Sequence, residues 1–315
     1  MPINTTLASG RLPRGGGDEK KNVDLTILAT APGGTSTDPS SGGSLAQYQA
    51  ATTTGANIGR VSNVTAADFS RQGSGILSFT MPKGTFTWRA RSADGSGAPW
   101  SWSGFAATGT ITFAAATPVL LLVPNNGGGS YSAGGGLFFA TGTSFSTVTP
   151  SNALIVLGGG GGGYTLSAPN GAPSGFYTTT ASALANRRST ATEDYDGGGG
   201  FANEHTVRAY SSGLGAQHFV EGGLGGRSTG CGGANDFGGF GGGGGSCPAG
   251  GGGYAGGFAG GNTPGQYGGG GGTSYYNPAF VSNVSLETSP AARSGNYTGF
   301  VQSASGWFRI WNPVV

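Results

Sequence analysis

Several groups of residues carry enough chemistry to ask what they could do. Residues 226–230 read GRSTG, formally the G-x-S-x-G spacing that exposes a serine oxygen on a sharp strand-to-helix turn. That turn needs a strand before Ser228 and a helix after it. Glycine-rich sequence flanks it on both sides, so the match reads as chance. The two histidines, His205 and His218, sit in the strand-like stretches HTVRAY and QHFV. Neither has a Cys or His at metal-ligand spacing, and both read as structural or surface residues. Glu193, Asp194 and Asp196 in TEDYDGGGG are carboxylates of the kind that hold calcium, but a solvated acidic loop is the better reading. Cys231 and Cys247 are too few for a disulfide scaffold and lack paired zinc spacing. A single GGR, at Arg227, is a weak basis for binding nucleic acid when the net charge is only +2. No acid–base pair can be nominated. The expectation is a protein that is not an enzyme and takes no metal and no cofactor.

What would position any of these residues is largely glycine. The chain has 69 glycines in 315 residues, and 42 of them fall in 158–272. Disordered chains combine low hydrophobicity with many charges. Here charged residues are 9% and aromatics 10%, which argues for a packed object. The N-terminal residues MPINTTLASGRLPRGGGDEKKN contain no apolar core of signal-peptide length, and no stretch approaches a membrane span. Neither secretion nor membrane insertion is therefore expected.

Strand patterns surround the glycine-rich third. VDLTIL at 23–28 alternates within an otherwise polar segment, 1–72, which reads as an N-terminal arm or small docking lobe. TAADFS, with Thr65 and Asp68 at capping-box spacing, predicts a short helix. ILSFTMPKGTFTWRAR predicts a hairpin turning at Pro82 and Gly84, with Phe86, Trp88 and Ala90 on a dry face and Thr87, Arg89 and Arg91 on a wet one. VLLLV, LFFA and ALIVL are unbroken apolar runs of the kind that form strands buried on both faces. TSYYNPAFVSNVSL and GWFRIW add strands near the C-terminus, which should return to pair with the first ones. The fold class is all-β: a sandwich of 73–157 plus 273–315, interrupted by a glycine-rich insert at 158–272.

Ordering polyglycine has a large entropic cost, about 0.5–1 kcal/mol per residue beyond alanine. Burial of side chains cannot offset it, since there are none. Without Cβ atoms, however, extended threefold helices can pack closely and bond laterally in several directions, at roughly 1 kcal/mol net per bond. The punctuation agrees. Glycine runs end in Tyr164, Phe201 and Tyr254, whose rings can pin a bundle, whereas a flexible linker is broken by serine or charge. The insert is expected to be a bundle of polyglycine-II helices.

GGFGGGGGSCPAGGGGYAGG at 238–257, followed by GGGGGTSYYNP, resembles the glycine-rich extracellular domain of the anaplastic lymphoma kinase and leukocyte tyrosine kinase receptors. A similar layout occurs in tail-fibre proteins and adhesins of tailed bacteriophages, where an opening like SFTMPKGTFTWRA leads into glycine runs. The resemblance spans about 80–310 in layout, with specific matches confined to 238–277. It implies a tumour-necrosis-factor-like, jelly-roll sandwich carrying the glycine helices. It also implies cytokine binding in the receptors and host-surface contact in the phage proteins. In the receptor family the cysteine matching Cys247 is paired; whether Cys231 and Cys247 pair here is left open, and a reducing cytoplasm favours free thiols.

With no secretion signal, membrane span or kinase, the expected protein is a bacteriophage virion component, a tail-fibre or tail-tip adhesin. A capsid-decorating or stabilising protein and a ligand-binding receptor ectodomain are the alternatives. The arm would dock to other virion proteins in a homo-oligomer, with no nucleic acid bound. A host surface receptor would meet the longer polar loops, 183–203 and 228–237. The candidate contacts are Arg187, Arg188, Tyr195 and Phe201 in the first, and Asn235 and Phe237 in the second. Trp100 and Trp102 fit either core or contact.

Overall fold

Alternation and apolar runs account for most of the strands. The computed structural model describes residues 23–28, 58–59, 70–72, 76–95, 100–127, 132–163, 174–179, 197–202, 215–228, 236–245, 249–259, 269–288, 292–294 and 305–312. In chain order the strands are β1 (Asp24–Leu28), β2 (Ile58–Gly59), β3 (Ser70–Gln72), β4 (Ile76–Met81), β5 (Gly84–Arg91) and β6 (Trp100–Trp102). Next come β7 (Ala106–Phe113), β8 (Thr117–Leu122), β9 (Leu137–Thr141), β10 (Ala153–Leu157), β11 (Gly162–Gly163) and β12 (Ser174–Tyr177). The last six are β13 (Arg227–Ser228), β14 (Asp236–Phe237), β15 (Thr273–Tyr276), β16 (Val281–Thr288), β17 (Ala292–Ser294) and β18 (Trp307–Trp311). Helix among the described residues is limited to single 3-10 turns such as Phe219–Glu221.

Two sheets hold the core. One has the order β16-β7-β5-β18-β1-β2 and the other β12-β15-β10-β9-β8-β4-β3. Pairing is antiparallel apart from β12 with β15. Between the sheets, Leu25, Ile27, Phe86, Trp88, Ile111, Phe308 and Ile310 of the first meet Leu77, Phe79, Leu121, Phe139, Ile155 and Leu157 of the second. The C-terminal strand does return to the start of the chain: β18 lies between β1 and β5, with Ile310 opposite both Leu25 and Trp88.

The expected hairpin at 76–91 is a correction. β4 pairs with β3 and β8, β5 pairs with β7 and β18, and Pro82–Lys83 carries the chain from one sheet to the other. Both strands bear large inward residues, and these face each other across the core instead of lying side by side in one sheet. Of the segment 1–72, expected to be an N-terminal arm or small docking lobe, the described residues 23–28, 58–59 and 70–72 belong to the sandwich. The apolar phase of VDLTIL buries Val23, Leu25 and Ile27, and β1, β2 and β3 are all strands of the two sheets. The helix expected from Thr65 lies outside the described residues except for Ser70, which begins β3.

The continuous apolar runs find their reason on the far side of the second sheet. Ile76, Leu120, Leu122, Phe138 and Val156 point away from the inter-sheet core into another buried cluster. A strand covered on both faces has no polar phase. What covers that face is glycine-rich: Phe201, Phe219, Leu224, Phe240 and Tyr254 reach down from it, all buried.

Candidate functional site: the glycine layer

The layer is bonded main chain to main chain. Within 158–163, the Gly158 and Gly161 carbonyls accept from the Phe105 and Trp102 amides, and the Gly159 and Gly162 carbonyls accept from those of Gly272 and Gly269. The Gly159 and Gly162 amides donate to the carbonyls of Gly252 and Ala249, while Gly160 donates to Ala93 and accepts from Gly134. Residues three apart thus face the same neighbour, and one stretch is bonded to several surrounding stretches. A pleated strand repeats every two residues and has two lateral neighbours.

Such close approach leaves no room for side chains. A Cβ on Gly158, Gly159, Gly160 or Gly161 would stand 2.0, 2.2, 1.9 or 2.2 Å from a backbone carbonyl oxygen of the neighbouring stretch. The same holds across the layer; at Gly252 the nearest oxygen, of Gly241, would be 1.8 Å away. Stretches outside the expected insert take part as well. Ala93 and Gly95 bond to 160 and 102, and Ala133, Gly134 and Gly136 bond to glycines of 238–252. Conversely, β12 lies within 158–272 in sequence but is a strand of the second sheet.

Two kinds of side chain join the layer to the sandwich. Aromatic rings form one set: Phe138 of β9 stacks on Phe219 at 5.1 Å and tilts against Phe201 at 6.1 Å, and Tyr254 lies 4.5 Å from Tyr275 of β15. Buried polar groups form the other, each serving a main-chain group of a glycine stretch or its flank. Asn125 Oδ1 accepts the Phe240 amide at 2.7 Å, Ser274 Oγ the Gly158 amide at 2.9 Å, and Thr273 Oγ1 the Ala255 amide at 2.7 Å. His218 Nδ1 accepts the Gly200 amide at 2.9 Å, which places its ring proton on Nε2. Burial raises the Tyr275 hydroxyl above its ordinary pKa.

The expected partner contacts divide. Phe201 and Phe237 are 0% and 4% exposed, so these two are corrected from contact to core. Phe201 follows a glycine stretch bonded to its neighbours, and its ring packs among those of Phe138, Phe219 and Tyr254. Arg187, Arg188, Tyr195 and Asn235 lie outside the described residues, as do Cys231, Cys247, His205, Glu193, Asp194 and Asp196. Ser228 is in the two-residue strand β13, paired with Asp236 of β14. No group of three metal-binding side chains occurs among the described residues, and no helix described there is long and apolar enough to cross a membrane. Trp100 and Trp102 bound β6, which pairs with the glycine strand β11 and with β17; Trp102 is half-buried.

One surface feature escaped the sequence reading. On the outer face of the first sheet, Arg89 and Arg309 are direct cross-strand partners on β5 and β18, flanked by Trp307 and Trp311. The alternation WFRIW placed these side chains on one face, but only the register brings Arg89 beside them. No protein-family model matches the chain, and no curated protein matches it.

Proposed function

We propose that this chain is a structural protein of a bacteriophage virion, a tail-fibre or tail-tip adhesin that works by rigid display and catalyses no reaction. The observation that carries the reading is the three-residue bonding period of 158–163, in which successive positions are bound in different lateral directions. That period is the one an extended threefold helix has, and it supports a polyglycine-II bundle resting on a jelly-roll sandwich. Such a bundle suits a fibre tip. Its stiffness comes from main-chain bonds, and a stiff scaffold is the usual carrier of recognition loops.

On this reading the polar loops, with Arg187, Arg188 and Tyr195, meet a host surface receptor, and copies of the chain assemble with other virion proteins. Mass spectrometry of purified particles tests the location, and absence of the chain from every particle fraction contradicts it. Antibody against 183–203 tests the role. Blocked adsorption is expected; unaffected adsorption by particles that bear the chain would make it a stabilising cover instead.

A further inference from the structure

His218 is buried, 3% exposed, where a glycine stretch meets the 3-10 turn Phe219–Glu221. Its main chain closes that turn. The His218 carbonyl accepts from the Glu221 and Gly223 amides, and its own amide donates to Glu221 Oε2 at 3.0 Å. Its ring reaches the glycine stretch. The Gly200 amide donates to His218 Nδ1 at 2.9 Å, and the Gly200 carbonyl accepts the Phe219 amide in return. This reciprocal pair fixes the end of 197–200, with Phe201 and Phe219 5.1 Å apart and both against Phe138. The same turn continues into the layer, where the Gly223 carbonyl accepts from the Gly241 and Gly242 amides.

We infer that His218 is an acid-sensitive latch, whose protonation releases the Gly200 amide and loosens this end of the glycine layer while the sandwich stays folded. An imidazole accepts at Nδ1 only through the lone pair that a proton would take. Bond and proton therefore exclude each other. A protonated ring would turn an N–H toward the Gly200 N–H at a buried position, leaving that donor without its acceptor. Acid thus favours the opened turn, the sign that holds when the open form takes up a proton the closed form refuses. Histidine is the side chain that gains charge between about pH 8 and pH 5. Among the described residues, the stretches 197–202, 222–226 and 238–245 and strand β9 contain no titratable side chain. The carboxylate beside the latch is that of Glu221, bonded to the His218 amide, and its charge favours the protonated ring. Tyr254 and Tyr275, in the cluster that Phe201 and Phe219 join, stay neutral in acid. The latch is independent of the adhesin reading, since it is a property of the chain alone.

The test is amide hydrogen exchange of the full chain at about pH 7.5 and about pH 5, corrected for the intrinsic effect of pH on exchange. The amides of Gly200, Phe219 and Val220 should lose about tenfold or more of their protection in acid, with β8, β9 and β10 unchanged. His218→Asn offers a carboxamide oxygen in place of Nδ1 and takes up no proton, so it should hold its protection at both pH values. His205→Gln should behave as the parent chain and leaves one histidine, whose ring nitrogen shifts report protonation directly. Release of Gly200 should follow that titration, a readout that stands even where His218→Asn does not fold. A ring that stays neutral at about pH 5 would overturn the latch, as would a ring that titrates while Gly200 remains protected. Equal acid release in folded His218→Asn, or simultaneous loss across β8, β9 and β10, would overturn it too.

Discussion

On its inner face the seven-stranded sheet meets Phe86, Trp88 and Phe308 across a core of interlocking side chains, where Phe139 lies 5.0 Å from Phe308. On its outer face Phe138, the next residue along β9, meets rings that hang from glycine stretches. The inner contact is specified by shape, since each position has a side chain of its own size and direction. The outer layer is specified by the absence of side chains, with aromatic residues only where it must be fastened. A core of side chains can repack around a lost methylene. A lattice whose neighbours are main-chain carbonyls has nothing flexible to move aside.

Adjacent substitutions on β9 break this comparison most severely. Phe138→Ala and Phe139→Ala should each cost about 4 kcal/mol by chemical denaturation. Phe138→Ala should also speed amide exchange in 197–202 and 250–254 more than in β5 and β7, a bias Phe139→Ala should not share. Next in size is Gly160→Ala, whose Cβ would meet the Trp102 carbonyl; about 3 kcal/mol is expected, against about 1 kcal/mol for Ile155→Val in the sandwich. Similar losses from both would mean that the layer yields as a core does. Asn125→Ala removes the Oδ1 that accepts the Phe240 amide and should cost about 2 kcal/mol in the same assay.

A smaller effect concerns pH. The Tyr275 hydroxyl has a raised pKa in the folded chain because it is desolvated, so above the ordinary tyrosine value the unfolded chain loses a proton that the folded chain keeps. Its contribution is fully present below pH ~10 and is lost as pH rises through the folded value. Tyr275→Phe should flatten that alkaline decline in a melting-temperature profile. Smallest of all, Arg309→Ala on the exposed face should change stability by less than about 1 kcal/mol.

Much of the sandwich was legible because side chains encode it. VLLLV, LFFA and ALIVL announced strands covered twice, GWFRIW announced a returning strand, and the alternation of Phe86, Trp88 and Ala90 with Thr87, Arg89 and Arg91 announced one with a wet face. The aromatic residues ending glycine runs pointed to anchoring, which Phe201 and Tyr254 perform in the second buried cluster. The pairing of β4 and β5 was misread because a strand's period gives its faces but not its neighbours, and Pro82–Lys83 suits a turn within a sheet or a crossing between sheets. Phe201 as a contact was misread from its place beside a polar loop. The order of neighbours within the glycine layer was not legible at all: one glycine is like the next, so no side chain records that Gly159 faces Gly272 and Gly252. The arginine pair was hidden for a related reason, since it exists only in the register of β5 against β18.

The central claim, that main-chain bonds between side-chain-free stretches make this layer rigid, is tested most directly by hydrogen exchange of the amides of Gly159, Gly160, Gly162, Gly251, Gly252 and Gly272 in the full chain. The account predicts protection comparable to that of β8, β9 and β10, lost together with theirs as denaturant is added. Exchange at the rate of an unstructured glycine peptide, while those strands remain protected, would contradict it.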